Sequence, residues 1–178
     1  AELRAEGARL LDNLELPDSR SERPWKYLDV SRLRLSDYRP LPATSTLAAA
    51  GPAPEGDAAA LVRQLDGQTL SVEVRHPDLV VAAFDRADPA IQVTIDLNLA
   101  SRVEPSRSYF TAAHYAYLHG GVLVEVAPNA ELSAPVRIER QFNARGQLGT
   151  PHTLVVTGAN SRVAVIDDFR SSDEDMLI

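Results

Sequence analysis

The sequence predicts a mainly β chain wound as a parallel β-solenoid, and two observations carry that expectation. The first is a figure that occurs twice between residues 114 and 170: a strand, a kink of three or four residues, and a second strand. In its first copy Val122, Val124 and Val126 alternate with Leu123 and Glu125, the period-2 pattern of a half-buried strand. Ala127-Pro128-Asn129-Ala130 breaks the run, Leu132 makes a short apolar step and Pro135 a corner. Val136 and Ile138 then alternate with Arg137, Glu139 and Arg140. The second copy runs from Leu154-Val155-Val156 through a kink at Gly158-Ala159-Asn160 to Val163, Val165 and Ile166. Repeated units of this kind bury their faces by stacking on one another. The second observation is that no Asn-Gly or Asp-Gly pair flanked by strands, the usual joint of an up-and-down sheet, occurs in this region. Two copies leave a β-sandwich open as the alternative.

Taken in order, the chain divides into four stretches: a helical N-terminal segment with a tryptophan anchor (1–42), a linker (43–60), a mixed α/β part (61–118) and the solenoid (119–178). In residues 1–16, Leu3, Leu10, Leu11 and Leu14 share one helical face, with Arg4, Glu6, Arg9 and Asp12 largely opposite, and Pro17 ends the helix. That face predicts an amphipathic helix packed on the body, since its polar side is too acidic for a membrane surface. The sole tryptophan, Trp25, follows Pro24, which suits an early position of a helical turn behind Ser21 or Glu22. Trp25, Leu28 and Leu33 then face inward, and Lys26 can lie over Tyr27. Pro40, Pro42, Gly51, Pro52, Pro54 and Gly56 mark a loop or linker. Gln68–Val74 reads as a strand after a turn at Asp66-Gly67. Leu79–Phe84 is a short apolar run that fits a strand or a buried helical turn. Ile91, Val93, Ile95, Leu97 and Leu99 alternate with polar residues as a strand does, whereas Tyr109–Leu118 reads as a helix ending at Gly120-Gly121. Met176-Leu177-Ile178 looks like the opening of another strand. A solenoid stopping there leaves an uncapped edge, so the chain is expected to be part of a longer one.

Composition excludes several classes of function. Net charge is −7, against a nucleic-acid footprint, and of 18 basic residues only Lys26 is lysine, with the arginines spread along the chain. There is no cysteine, hence no disulfide, thiolate nucleophile or cysteine-held cluster within it. No apolar run approaches the length of a membrane helix, and no basic-then-apolar leader opens the chain.

No nucleophile elbow, phosphate-binding loop or dinucleotide fingerprint is present. His114 and His119 are five apart, about 140° around a helix, so they do not form an i, i+4 metal pair. His119 before Gly120-Gly121 suits the last turn of a helix, where a cation meets the dipole. His76 precedes Pro77 in a turn, and His152 opens the second copy of the repeated figure. Asp167, Asp168, Asp173, Glu174 and Asp175 lack the spacing of a calcium loop and read as a solvated acidic loop. Paired carboxylates for glycoside hydrolysis stay open, although nothing singles out a pair. The residues therefore assign no catalytic, cofactor-binding or metal-binding position.

Three stretches together resemble the SufB/SufD family of iron–sulfur cluster assembly scaffolds, and its SufD branch most closely. Leu16-Pro17, Glu22 and Trp25-Lys26-Tyr27 are similar to that branch's N-terminal signature, with Leu28 where threonine is usual. Phe110-Thr111-Ala112-Ala113-His114 through His119-Gly120-Gly121-Val122 to Leu132 resembles the family's helix leading into alternating valines, with a modest departure at the kink. Pro151-His152-Thr153-Leu154-Val155-Val156, with Ala159 and Val163–Phe169, resembles its Pro-Arg-x-Leu-Ile-Val segment and the strand after it. The resemblance spans most of residues 10–170. It implies the first rungs of a right-handed parallel β-helix behind a partly helical N-terminal lobe, and a helix at Ile91–Leu99, against the strand pattern there. It implies a non-enzymatic cytoplasmic scaffold subunit that pairs with a SufB-like subunit and a SufC-like ATPase. It implies no cofactor in this chain, the cluster being handled by the whole complex at positions later than residue 178. The competing expectation is a carbohydrate-binding or carbohydrate-active β-solenoid. A third is an interaction module presenting the Trp25–Leu28 cluster.

Overall fold

The computed structural model describes residues 2–41, 57–143, 145–171 and 177. Most of the Pro/Ala/Gly-rich linker, the acidic residues Asp173–Asp175, and Met176 and Ile178 of the expected last strand lie outside the described residues. Helices α1 (Glu2–Leu11), α2 (Pro89–Asn98) and α3 (Tyr109–Ala116) accompany nine strands. These are β1 (Arg39–Pro40), β2 (Ala60–Leu65), β3 (Gln68–Val74), β4 (Leu79–Ala83), β5 (Leu118–Val126), β6 (Val136–Phe142), β7 (Gln147–Leu148), β8 (Thr150–Thr157) and β9 (Val165–Ser171).

The expected parallel β-helix is not what forms. The fold is mixed α/β, with three small sheets ordered β3-β2-β6-β9, β4-β5-β8 and β1-β7. Pairing is mixed within the two larger sheets: β2–β3 and β4–β5 are antiparallel, while β2–β6, β6–β9 and β5–β8 are parallel. The strand–kink–strand figure is real, with β5 and β6 as one copy and β8 and β9 as the other. Each copy, however, is split between two sheets, and strands from residues 60–83 fill the other sides of β5 and β6. The local periodicity of 122–166 carried no information about those partners. Upstream of the repeated figure, Asp66-Gly67 is itself a hairpin joint. Both residues have positive φ (47° and 76°), as a type I′ turn requires, and they join β2 to β3 with Leu65 opposite Gln68.

Local chemistry decided the spans that pattern left open. Residues 91 to 98 of the span Ile91–Leu99 belong to a helix, α2, with Leu99 as its C-cap, because Asp88 accepts from the N–H groups of Ala90 and Ile91 and Pro89 starts the first turn. Only Ile95 of that helix is buried, and Val93 and Leu97 face solvent. Leu79–Ala83 is a strand, followed by a single 3-10 turn at Phe84–Arg86. α3 starts at a reciprocal cap: Ser108 Oγ accepts from Thr111 N–H, and Thr111 Oγ1 accepts from Ser108 N–H. It ends earlier than the sequence suggests, so His119 sits in β5, away from any helix dipole. α1 packs on α3 around the buried Gly7, whose Cα lies against the backbone at Ala112, Tyr115 and Ala116.

Between the two larger sheets lies the core. Ala60 and Val62 of β2, Leu79 and Val81 of β4, Val122, Val124 and Val126 of β5, and Val136 and Ile138 of β6 meet there, sealed by Ala130 and Leu132. Each fully buried aliphatic side chain of this size contributes roughly 1.5–3 kcal/mol of burial free energy. Among the described residues no helix is long and apolar enough to cross a membrane.

Candidate functional site

The inward alternation of the core strands continues past the aliphatic cluster into polar residues. After Ala60 and Val62 the next inward position of β2 is Gln64; after Val136 and Ile138 that of β6 is Arg140; after Val165 that of β9 is Asp167. Arg140 is 1% exposed, and every nitrogen of its guanidinium is used. Nε donates to Asp167 Oδ1 at 2.7 Å. Nη1 donates to the Gly120 carbonyl at 2.9 Å and to Gln64 Oε1. Nη2 donates to Thr153 Oγ1 at 2.7 Å, with longer contacts at 3.4 Å to Asp167 Oδ2 and the His152 carbonyl. Thr153 Oγ1 in turn donates to Asp167 Oδ2, and Gln64 Nε2 donates to Thr69 Oγ1 at 3.0 Å. One side chain thus ties β2, β5, β6, β8 and β9 together. Gly120 makes this possible with φ +74°, at a point where a Cβ would lie 2.5 Å from the Gly67 carbonyl oxygen. The Phe169 ring lies 5.6 Å from the guanidinium carbon and stacks on Phe142.

Against this network, on the β8 side, stands a histidine pair. His114 Nε2 and His152 Nδ1 are 2.9 Å apart, from the last turn of α3 and the start of β8. Burial lowers the His114 pKa. That of His152 is lowered to about 4 by burial, by His114 and by the Arg140 guanidinium. Both rings are therefore neutral at pH 7, one nitrogen of the pair donating and the other accepting. Tyr115, edge-on to His114, and Phe84, 6.0 Å from His152, wall the pair, and the Tyr115 hydroxyl donates to the Val103 carbonyl at 2.8 Å. Phe84 reaches this position because residue 121, opposite His152 in β5, is glycine; a Cβ there would lie 2.1 Å from the Phe84 ring. Beside His114 opens a cleft of about 490 Å³ lined chiefly by Leu33, Leu35, Phe110, Leu148 and Phe169.

The other residues singled out by sequence are dispersed. His76 Nδ1 accepts from Asp78 N–H in the turn before β4. His119 Nε2 is buried with no hydrogen-bond partner, and burial and Arg4 lower its pKa. Asp167 belongs to Arg140 and Asp168 pairs with Arg170, so the adjacent carboxylates do not share a solvated loop or face a common point. The 3-10 turn Arg23–Trp25 follows Glu22, and the half-buried Trp25 ring packs on Phe110 with centroids 5.0 Å apart. Leu28 does not turn inward: it is exposed, as is Tyr27 at 92%, with Lys26 Nζ 5.3 Å from the Tyr27 ring centre. Among the described residues no group of three or more His, Cys, Asp or Glu side chains converges on one point.

Sequence reasoning missed both centres of the site. Arg140 was placed with the outward residues Arg137 and Glu139, although it shares parity with Val136 and Ile138; strict period-2 counting would have turned it inward. The His114–His152 contact spans 38 residues and left no local signal. No protein-family model matches the chain, and no curated protein matches it significantly.

Proposed function

We propose that the chain is a SufD-like scaffold subunit of a cytoplasmic iron–sulfur cluster assembly complex, acting with a SufB-like subunit and a SufC-like ATPase and carrying no catalytic residues of its own. One observation supports the reading most directly. The three stretches that resemble the SufD branch, separated by up to about 130 residues, meet one another: the first reaches the second through Trp25 on Phe110, and the second reaches the third through His114 and His152. The reading draws nothing from a β-helix, and the cluster is cargo of the complex. Asp167 is engaged by Arg140 and Asp168 by Arg170, so these two carboxylates lend the carbohydrate-active alternative no support.

The test is co-expression of the product of the native gene with SufB-like and SufC-like proteins of the same organism. A complex containing all three that survives size-exclusion chromatography is the expected result. A folded product that elutes free of both overturns the proposal.

A further inference from the structure

The scaffold reading uses the histidine pair only as a contact between two stretches, and neither it nor the core uses the chemistry of the two rings. We propose that His114 and His152 form a two-histidine site for a borderline transition-metal ion, with zinc(II) as the type ion. Their facing nitrogens, on a helix and a strand, already aim at one point from 2.9 Å apart. In the metal-free pair a single N–H lies on that line. Moving it to the far nitrogen of its own ring gives His114 protonated on Nδ1 and His152 on Nε2. Two lone pairs then face each other, and no net proton is released. Zinc–imidazole bonds of about 2.0–2.1 Å at a tetrahedral angle set the two nitrogens roughly 3.3 Å apart, so the rings need to part by roughly 0.4 Å and each to tilt by roughly 35° off the line that joins them.

The surroundings select the ion. Two imidazoles suit zinc, copper, nickel or iron, while magnesium and calcium require oxygen donors. Asp167, which adjoins this cluster through Arg140, is held by Arg140 and Thr153. Arg140 adjoins the site through the His152 carbonyl, and Asp167 matches its charge. Both ligands stand on fixed supports. β8 is tied at Thr153 to Arg140, and α3 is capped by Ser108 and held through the Tyr115 hydroxyl. The cleft borders His114, and in this proposal the solvent ligands that complete four-coordination come from that side. The proposal is independent of the scaffold reading, because it needs only this chain.

The experiment is titration of the metal-free 178-residue chain with cobalt(II), followed by zinc(II) competition, alongside His114→Asn, His152→Asn and His76→Asn. Expected are one cobalt per chain with the visible absorption of a tetrahedral site, its displacement by one zinc, affinity lowered tenfold or more in each variant of the pair, and no change in His76→Asn. If a variant of the pair does not fold by circular dichroism, imidazole 15N shifts of the wild-type chain decide instead: zinc must move His114 Nε2 and His152 Nδ1. Absence of saturable binding overturns the proposal. Binding that persists in both variants, or 15N shifts confined to His76 or His119, overturns it equally.

Discussion

The two halves of the interior are built from the same strands and obey opposite rules. In one half the inward positions of β2, β5 and β6 are Ala60, Val62, Val122, Val124, Val136 and Ile138, which touch without direction. One step further along β2 and β6 the inward positions are Gln64 and Arg140, joined by Thr153 and Asp167, and every contact there has a donor, an acceptor and an angle. Aliphatic packing tolerates a change of shape by small shifts. A desolvated guanidinium does not tolerate losing a partner, because each unpaired group then carries its full cost of leaving water. The aliphatic half therefore supplies burial, and the polar half fixes the register of five strands.

The largest effect expected from this contrast is at Arg140. Arg140→Met strands Asp167, Gln64 and the Gly120 carbonyl, and should lower stability by about 3–5 kcal/mol in urea denaturation. Arg140→Lys keeps the charge and loses the fork, so it should recover only a minor part of that loss. The double variant Arg140→Met with Asp167→Asn should be less destabilised than the sum of its single changes. Strict additivity would mean that the network is not a unit.

Next comes acidity. The His152 pKa is about 4 in the folded protein against an ordinary 6.5, and that of His114 moves in the same direction. Between those values the unfolded chain binds protons that the folded chain refuses. This contribution to stability is thus complete above pH 6.5, falls as the pH drops toward 4, and is lost below that. For His152 alone the change is on the order of 3 kcal/mol. In chelator-treated protein His152→Gln should flatten this slope, measured as the urea midpoint from pH 7.5 to 4.5. An unchanged slope would place the acid sensitivity elsewhere.

The same division marks what the sequence made legible. Aliphatic alternation located β3, β5, β6, β8 and β9, since periodic burial is a local property, and the face of Leu3, Leu10, Leu11 and Leu14 located α1, which stops at Leu11, short of Leu14 and Pro17. Partner strands were not legible. The Asp66-Gly67 hairpin and the return of β4 against β5 depend on residues far from the repeated valines, and they turned an expected β-helix into two mixed sheets and a two-stranded parallel one. At Ile91–Leu99 alternation pointed to a strand, while Asp88-Pro89 in front of it carried the helix signal that prevailed. The candidate site was the least legible part, because a charged residue at an inward position looks like an exposed one until its partners, 12 to 76 positions away, are known.

Two smaller substitutions sharpen the contrast. Thr153→Val keeps volume and removes the hydroxyl shared by Arg140 and Asp167, for an expected loss of about 1–2 kcal/mol. Ile138→Val sits one inward step from Arg140 on β6, fully buried among aliphatic neighbours, and removes one methylene. Its cost should be about 0.5–1.5 kcal/mol, with cooperativity and m-value unchanged. Neighbouring inward positions of one strand would then differ several-fold in the cost of a side-chain change. If Ile138→Val instead costs as much as Arg140→Met, the aliphatic half is as tightly specified as the polar one, and register is shared between them.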